Sequence, residues 1–121
     1  MPRPVHFEIG ADDTARATKF FSDVFSWTFQ GMAEYGYFLA ETRNGDEAGI
    51  NGAVMKRSDS LQPVTNSIQV PSIEEYVKKI VACGGEIVVP KMTIPNVGYS
   101  AYFKDTEGNI HGLFQNDQSA K

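Results

Sequence analysis

The chemistry-bearing side chains nearest the start of the chain are His6 and Glu8, which alternate with Phe7 and Ile9. Successive side chains of a β-strand point to opposite faces, so an extended segment here puts the imidazole and the carboxylate on one face. Such a pair can bind a divalent metal, contact a ligand through hydrogen bonds or act as a general base. The second half of the chain begins with polar residues in the same alternation: Thr65, Ser67 and Gln69.

Two further side chains of reactive types, His111 and Cys83, are not expected to take part in a functional site. His111 directly precedes Gly112, so strand alternation points the two residues to opposite faces. We expect His111 to be structural. Cys83 is the only cysteine and has no histidine or aspartate motif beside it, so we expect a packing thiol.

Composition limits the partners and the compartment. With 121 residues and 41% apolar residues, the chain is expected to form one globular domain, residues 1–121. The formal net charge is -4 without a Lys/Arg cluster, which argues against nucleic acid or an anionic membrane as a partner. A single cysteine cannot form an internal disulfide, so we predict a cytoplasmic protein.

Two segments have the apolar periodicity of amphipathic helices. In each, apolar residues recur at i, i+3, i+4, i+7 and i+8. The first helix is expected to begin after Asp12 or Asp13. Ser72 and Glu75 form a capping box at the start of the second, and Gly84-Gly85 ends it. The apolar positions are Ala17, Phe20, Phe21, Val24 and Phe25, and then Ile73, Tyr76, Val77, Ile80 and Val81.

The strands around these helices repeat in the same order. Strands are predicted over residues 5–9, 27–32, 36–42 and 49–56, and again over 67–70, 86–91, 98–104 and 110–115. Gly36-Tyr37 matches Gly98-Tyr99 at a shift of 62, and Gly52 matches Gly112 at a shift of 60. We therefore predict two β-α-β-β-β modules, at about 1–57 and about 65–116, joined by a linker over residues 58–64.

This duplication resembles the vicinal oxygen chelate superfamily, which includes glyoxalase I, bleomycin resistance proteins and extradiol dioxygenases. Its opening strand and helix are similar to His6-Phe7-Glu8-Ile9, Asp13, Phe20-Phe21 and Val24-Phe25-Ser26-Trp27. Its turn before the last strand is similar to Lys104-Asp105-Thr106-Glu107-Gly108-Asn109, and Gly49-Ile50-Asn51-Gly52 resembles its third-to-fourth strand region. The resemblance implies an α+β fold in which two tandem βαβββ modules form a curved, mixed-sheet cleft.

In metal-dependent members of this superfamily, four strand residues, two from each module, bind one divalent ion. Carried across residue by residue, the first position falls on His6, a match. The others fall near Gly52, near Thr65 and on Gly112, which are poor ligands or have no side chain. We therefore predict no metal cofactor. A rearranged site of His6, Glu8 and Gln69 remains the alternative.

The resemblance also implies which residues face the cleft. The expected ligand pocket comprises His6, Glu8, Gly52, Thr65, Ser67, Gln69, Gly112 and Phe114. His6 and Glu8 are the candidates for any catalytic role. The two glycines could enlarge the pocket or could ease strand curvature, and the sequence leaves both interpretations open.

The leading hypothesis is a metal-independent, small-molecule-binding member of the superfamily. The alternatives are a metal-dependent lyase, isomerase or dioxygenase using His6 with non-standard ligands, and a regulatory module with a vestigial cleft. A homodimer is expected because the exposed strand edges need cover. The sequence does not indicate the ligand, the reaction or any swapping of modules in the dimer.

Overall fold

The computed structural model describes residues 1–32, 36–58, 61 and 63–121. The strands and helices follow the predicted order, with β-α-β-β-β in each half, and their pairing is mixed. The α+β class is therefore confirmed. The elements are β1 (Arg3–Ala11), α1 (Thr14–Phe25), β2 (Thr28–Met32), β3 (Tyr37–Glu41), β4 (Gly52–Lys56), β5 (Val64–Gln69), α2 (Ile73–Ala82), β6 (Glu86–Ile94), β7 (Gly98–Lys104) and β8 (Ile110–Asn116).

The bounds of β4 and β5 differ from the prediction. β4 begins at Gly52 rather than at residue 49, because the preceding loop is closed by side chains instead of by a strand ladder. Thr42 donates its backbone N–H to Asn51 Oδ1 at 3.0 Å and its hydroxyl to the Ile50 carbonyl at 2.6 Å. β5 begins at Val64, the last residue of the predicted linker, and residues 59, 60 and 62 of that linker lie outside the described residues.

The chain divides into two compact units, and the first spans Val5–Val64. Its strands lie in the order β2-β3-β4-β1, with β1 and β4 parallel and the other pairs antiparallel. α1 begins where the Asp13 side chain accepts from Arg16 N at 3.0 Å. It ends at Ser26, which adopts the left-handed conformation at φ 62°.

Aromatic stacking holds α1 on the face of the sheet that carries Phe7. The Trp27 ring lies 5.0 Å from the ring centroid of Phe21 on α1 and 5.7 Å from that of Phe7 on β1. The apolar stripe predicted for α1 is only partly used, because Phe20, Val24 and Phe25 are more than half exposed, at 57%, 54% and 56%.

The second unit comprises Met1–Pro4 and Thr65–Lys121, with strand order β5-β8-β7-β6. α2 begins where Ser72 Oγ accepts from Glu75 N at 3.2 Å, as the capping box predicts. Its apolar stripe packs against a buried cluster of Val70, Ile73, Ala101 and Leu113. Cys83 is exposed at the end of α2, so the prediction of a packing thiol is wrong.

The glycine and tyrosine matches between the modules do not mark equivalent positions. Tyr99 packs against the α2 core, whereas Tyr37 bonds to Glu8 on the face of its sheet opposite α1. Gly52 pairs with Phe7 on the α1 side, whereas Gly112 pairs with Ser67 on the side opposite α2. Residues matched at a shift of 60 or 62 therefore lie on opposite faces of the two modules, measured relative to each module's own helix. Because side chains alternate with period two, this means that the structural equivalence between the modules is offset by one residue from the sequence match.

Among the described residues, no helix is both long and apolar enough to span a bilayer.

Candidate functional site

Three side chains of the first unit form a hydrogen-bonded cluster on the sheet face opposite α1. His6 Nε2 lies 3.0 Å from Tyr37 Oη, and Tyr37 donates to Glu8 Oε2 at 3.2 Å. β1 supplies His6 and Glu8, as predicted, and β3 supplies Tyr37. Between β1 and β3 lies β4, where the fully buried Ala53 stands beside Glu8; its small side chain lets the tyrosine reach across.

The hydroxyl of Tyr37 fixes the proton arrangement of the cluster. Tyr37 has one O–H, which it donates to the carboxylate, so its oxygen accepts from the Nε2–H of His6. Neutral His6 is then the Nε2–H tautomer, with a lone pair on Nδ1. Burial lowers the pKa of His6 below 6.5, against a smaller opposing effect of Glu8, so the ring is neutral at pH 7.

The same burial acts on Tyr37, whose pKa is raised mainly by desolvation and further by Glu8. Tyr37 therefore remains a phenol and a hydrogen-bond donor at neutral pH. Leu39 lies beside Ala53 in the β3–β4 register and is 44% exposed, and Met55 is half-buried on β4. The cluster thus combines a neutral imidazole, a phenol and a carboxylate with accessible apolar surface.

The polar residues predicted in the second module share one face of the second unit. Ser67 pairs with Gly112, and Gln69 pairs with Phe114, so these side chains and Thr65 point to the same side. Thr65 and Ser67 are buried, whereas Gln69 and Phe114 are half-buried. Whether they contact a ligand stays a prediction.

The placement of Gly52 differs from the prediction. A Cβ on Gly52 would lie 2.5 Å from ring atoms of Phe7, so this residue is on the α1 side and not beside His6 and Glu8. A Cβ on Gly112 would lie 2.8 Å from Ser67 Oγ and 3.3 Å from the Tyr102 ring. A neighbouring side chain fills the space where each Cβ would stand. Whether the two glycines line a ligand pocket stays a prediction.

Sequence reasoning missed two residues of these faces, Tyr37 and Tyr102. Both lie within predicted strands, over residues 36–42 and 98–104, but neither was predicted as a site residue. Tyr102 pairs with Gly112 on β7 and is 8% exposed. Counting alternation from the Glu107-Gly108-Asn109 turn would have placed Tyr102 opposite Gly112, whereas Tyr37 required the register of three strands.

The described residues include no grouped set of the usual metal ligands. Within the ranges that the structure describes, no three His, Cys, Asp or Glu side chains are grouped to hold an ion. His6 and Glu8 belong to the first unit and Gln69 to the second, so neither unit alone assembles the alternative ligand set. One of the metal-ligand positions that the superfamily resemblance implies falls on Gly112, and Ser67 Oγ and the Tyr102 ring fill the space beside it.

The second histidine has a structural partner. His111 Nε2 lies 2.8 Å from Asp105 Oδ2, and Asp105 Oδ1 accepts from the backbone N–H groups of Glu107 and Asn109 at 2.8 and 2.9 Å. The His111 bond, followed by the Asn109 bond, lowers the pKa of Asp105 to about 2. These contacts hold the turn before β8 together, in line with the structural role expected for His111.

An open depression of about 450 Å³ lies on the α1 side of the first unit. Its wall includes Ile9, Phe20, Arg16 and Arg57. Arg57 Nε pairs with Asp12 at 3.3 Å, so its charge is already matched. This depression lies on the face opposite the His6–Tyr37–Glu8 cluster.

Comparison with known proteins places these features in a family. The family model described as Glyoxalase/Bleomycin resistance protein/Dioxygenase superfamily matches residues 3–111. A glyoxylase-like domain-containing protein of Didymella fabae is 32% identical over 113 residues, covering 88% of both chains. A putative glyoxylase of Mycobacterium bovis is 26% identical over 117 residues, which are 93% of this chain but only 45% of that protein.

Solved structures share the fold at low sequence identity. A hypothetical protein of Bacillus halodurans C-125 has a TM-score of 0.68 at 12% identity, covering 99% of this chain and 98% of its own. Methylmalonyl-CoA epimerase of Mycobacterium tuberculosis has 0.67 at 11%, covering 94% and 87%. A superfamily member of Vibrio splendidus 12B01 has 0.66 at 15%, covering 97% and 100%. At these identities the likeness concerns the fold alone.

Proposed function

The chain belongs to the glyoxalase/bleomycin resistance protein/dioxygenase superfamily, and we propose that it is a small-molecule-binding member that does not use a divalent metal. The observation that carries this proposal is the His6–Tyr37–Glu8 cluster. The Tyr37 hydroxyl bridges the imidazole and the carboxylate, the two side chains of β1 that could otherwise bind a metal. The three side chains are therefore arranged to hydrogen-bond with one another and with a ligand, and not to coordinate an ion.

The neighbouring strand positions support a metal-free site. Ala53 lies beside Glu8 on the neighbouring strand, and its methyl side chain has no atom that could coordinate a metal. In the second unit, Ser67 Oγ and the Tyr102 ring occupy the space where a side chain at Gly112 would project. A catalytic divalent site commonly needs three or more protein ligands. Among the residues that the structure describes, no three His, Cys, Asp or Glu side chains are grouped to hold an ion.

The proposed ligand is a small, partly apolar molecule with at least one N–H or O–H group. Such a group could donate to Nδ1 of neutral His6, whose other nitrogen is committed to Tyr37. The apolar part would cover Leu39 and Met55, of which Leu39 is 44% exposed. Ligand sites commonly combine apolar surface with a few fixed polar groups of this kind.

A second candidate is a proton-transfer enzyme that uses the same cluster. Burial lowers the pKa of His6, and the fixed tautomer leaves Nδ1 as a base. Several structural neighbours are methylmalonyl-CoA epimerases, one of them in complex with methylmalonyl-CoA. Acyl-CoA thioesters therefore belong in a ligand panel, and any proton exchange at the carbon next to their carbonyl would favour this candidate.

The compartment stays part of the proposal. One exposed cysteine, Cys83, suits a reducing environment such as the cytoplasm.

The test combines metal analysis with ligand binding. Protein purified without chelators is analysed for metals by mass spectrometry and then screened by thermal shift against metabolites, antibiotics and acyl-CoA thioesters. We expect well below one divalent ion per chain and at least one stabilising compound, since a ligand at 100 times its Kd adds about 2.7 kcal/mol of stability.

The two histidines provide matched variants for that screen. His6→Gln is expected to weaken binding of the identified compound by about tenfold or more, the usual effect of losing a buried polar contact. His111→Gln, in the second unit and bonded to Asp105, should leave the Kd within about twofold. A stoichiometric metal whose removal abolishes binding, or equal effects of the two variants, would overturn the proposal.

A further inference from the structure

The open depression on the α1 side of the first unit lies between the end of β1, the first half of α1 and Arg57. Its volume of about 450 Å³ is within the range of small-molecule sites. Ile9, Ala17 and Phe20 form apolar parts of its wall, and Phe20 is 57% exposed. The Phe20 ring meets the ring of Phe21, another residue of the wall, edge-on at 5.3 Å. The depression therefore presents a supported apolar surface to solvent.

Four charged side chains also line the depression, and three of them are matched. Arg57 pairs with Asp12 at 3.3 Å and donates to the Gly10 carbonyl at 3.3 Å. Asp13 accepts from Arg16 N at 3.0 Å at the start of α1, where the helix dipole stabilises a negative charge. Among the residues that the structure describes, the guanidinium of Arg16 has no carboxylate partner. One positive charge at the depression is therefore left for a ligand.

The position of Arg16 on the helix also favours a bound anion. Arg16 lies in the first turn of α1, which contains no acidic residue. The helix dipole is unfavourable for a cation at this end and favourable for an anion. A guanidinium binds a carboxylate through two parallel N–H···O bonds, so one carboxylate can satisfy both the side chain and the helix end.

We propose that this depression is a binding site for amphipathic monocarboxylates, with the carboxylate on Arg16 and the apolar group on Phe20 and Ile9. An apolar group the size of a phenylpropyl chain fits the volume. We expect a Kd of roughly 0.1–1 mM, since the site is open and a single exposed ion pair contributes little. The site lies on the face opposite the His6–Glu8 side of the sheet, so it is independent of the proposed function.

The first test compares two probes of the same skeleton and opposite charge. In two-dimensional NMR titrations, phenylbutyrate is expected to shift the backbone amide signals of Arg16 and Ala17 in a saturable way. Phenylbutylammonium should bind at least about threefold more weakly, because Arg16 repels it. Equal affinities, tighter binding of the ammonium, or saturable shifts confined to the His6–Tyr37–Glu8 cluster would overturn the proposal.

Matched variants test the two contacts separately. Arg16→Gln should raise the Kd for phenylbutyrate by about two- to fivefold, whereas Arg3→Gln, the same change at an exposed arginine of the second unit, should leave it within about 1.5-fold. Phe20→Ala should raise the Kd at least about fivefold through lost apolar contact. Phe25 is 56% exposed on the same helix but does not line the depression, so Phe25→Ala should stay within about twofold.

Two charge changes test the assignment of Arg16 as the unmatched cation. Arg16→Glu suits the helix start and should reverse the preference, so that phenylbutylammonium binds more tightly than phenylbutyrate. Asp12→Asn frees Arg57 from its ion pair and should tighten phenylbutyrate binding by about twofold.

Circular dichroism first establishes that the variants are folded. Arg16 and Arg3 are exposed, so their variants keep the test decisive even if Phe20→Ala does not fold. The proposal is overturned if about 10 mM phenylbutyrate, roughly ten times the weakest expected Kd, gives no saturable shift. Equal effects of Arg16→Gln and Arg3→Gln, or an Arg16→Glu chain that still prefers the carboxylate, would also overturn it.

Discussion

Tyr37→Phe is the most direct perturbation of the candidate site, because it removes one oxygen and leaves the ring. That oxygen lies 3.0 Å from His6 Nε2 and 3.2 Å from Glu8 Oε2. A hydrogen bond to a charged group is worth about 1.5–3 kcal/mol and a neutral one about 0.5–1.5 kcal/mol. Phenylalanine has no hydroxyl to bury, so the variant is spared a desolvation cost of about 1 kcal/mol, which offsets part of the loss. We expect the free energy of unfolding to fall by about 2 kcal/mol.

The assay is urea unfolding followed by the fluorescence of Trp27, the single tryptophan, which stacks on Phe21 in the same unit. Tyr99→Phe is the matched control. Tyr99 occupies the Gly-Tyr position of the second module, and within the described residues its ring contacts the Lys91 ammonium, 4.3 Å away, while its hydroxyl makes no hydrogen bond. Its loss should cost under about 0.5 kcal/mol.

A double-mutant cycle with Glu8→Gln separates the hydrogen bond from general packing. Groups in one hydrogen-bond network usually couple by about 0.5–3 kcal/mol. If Tyr37→Phe and Tyr99→Phe destabilise equally, or if the coupling between Tyr37 and Glu8 is zero, the bridging role of Tyr37 is refuted.

Three further predictions concern pH and packing. The pKa of His6 in the folded state is below its unfolded value of 6.5, so the unfolded state binds more protons at this residue. The free energy of unfolding should therefore fall as the pH drops from 6.5 toward the folded pKa. His6→Gln should flatten that slope in urea titrations. Asp105 has a pKa of about 2 in the folded state against 3.8 in the unfolded state. Its contribution to the free energy of unfolding is therefore present above pH 3.8 and lost as the pH falls toward 2. Asp105→Asn should remove this contribution and shift the midpoint of acid unfolding followed by circular dichroism; an unchanged midpoint would contradict the prediction. Gly112→Ala should cost about 1–3 kcal/mol through its 2.8 Å approach to Ser67 Oγ, and Ser67→Ala in the same chain should recover at least half of that cost in thermal melts.

The elements were largely predictable because their signals are local. Apolar periodicity located both helices, and the Asp13 and Ser72 caps lie where the sequence indicated. The order of the elements along each half of the chain followed from the duplication. The start of β4 was less accessible, since the loop before it is closed by Thr42 and Asn51 through side-chain bonds that no short pattern encodes.

The site was only half predictable because it depends on register between distant strands. Alternation alone put His6 and Glu8 on one face, and Thr65, Ser67 and Gln69 on one face. The superfamily resemblance placed Gly52 with them, whereas its pairing with Phe7 puts it on the α1 side. The exposure of Phe20 was likewise hidden, because an amphipathic pattern does not say how much of its stripe a small sheet can cover.

The offset between the modules has a consequence for recombination within the gene. Duplicated halves are often regarded as exchangeable, yet here Gly52 accommodates a ring of its own first strand, whereas Gly112 accommodates Ser67 and Tyr102 on the opposite surface. Unequal crossing-over that joined the halves at their matching glycines would turn a strand inside out, with polar groups in the core and apolar groups outside. Exchange at these two glycines is therefore disfavoured, and the surfaces around them can differ in chemistry.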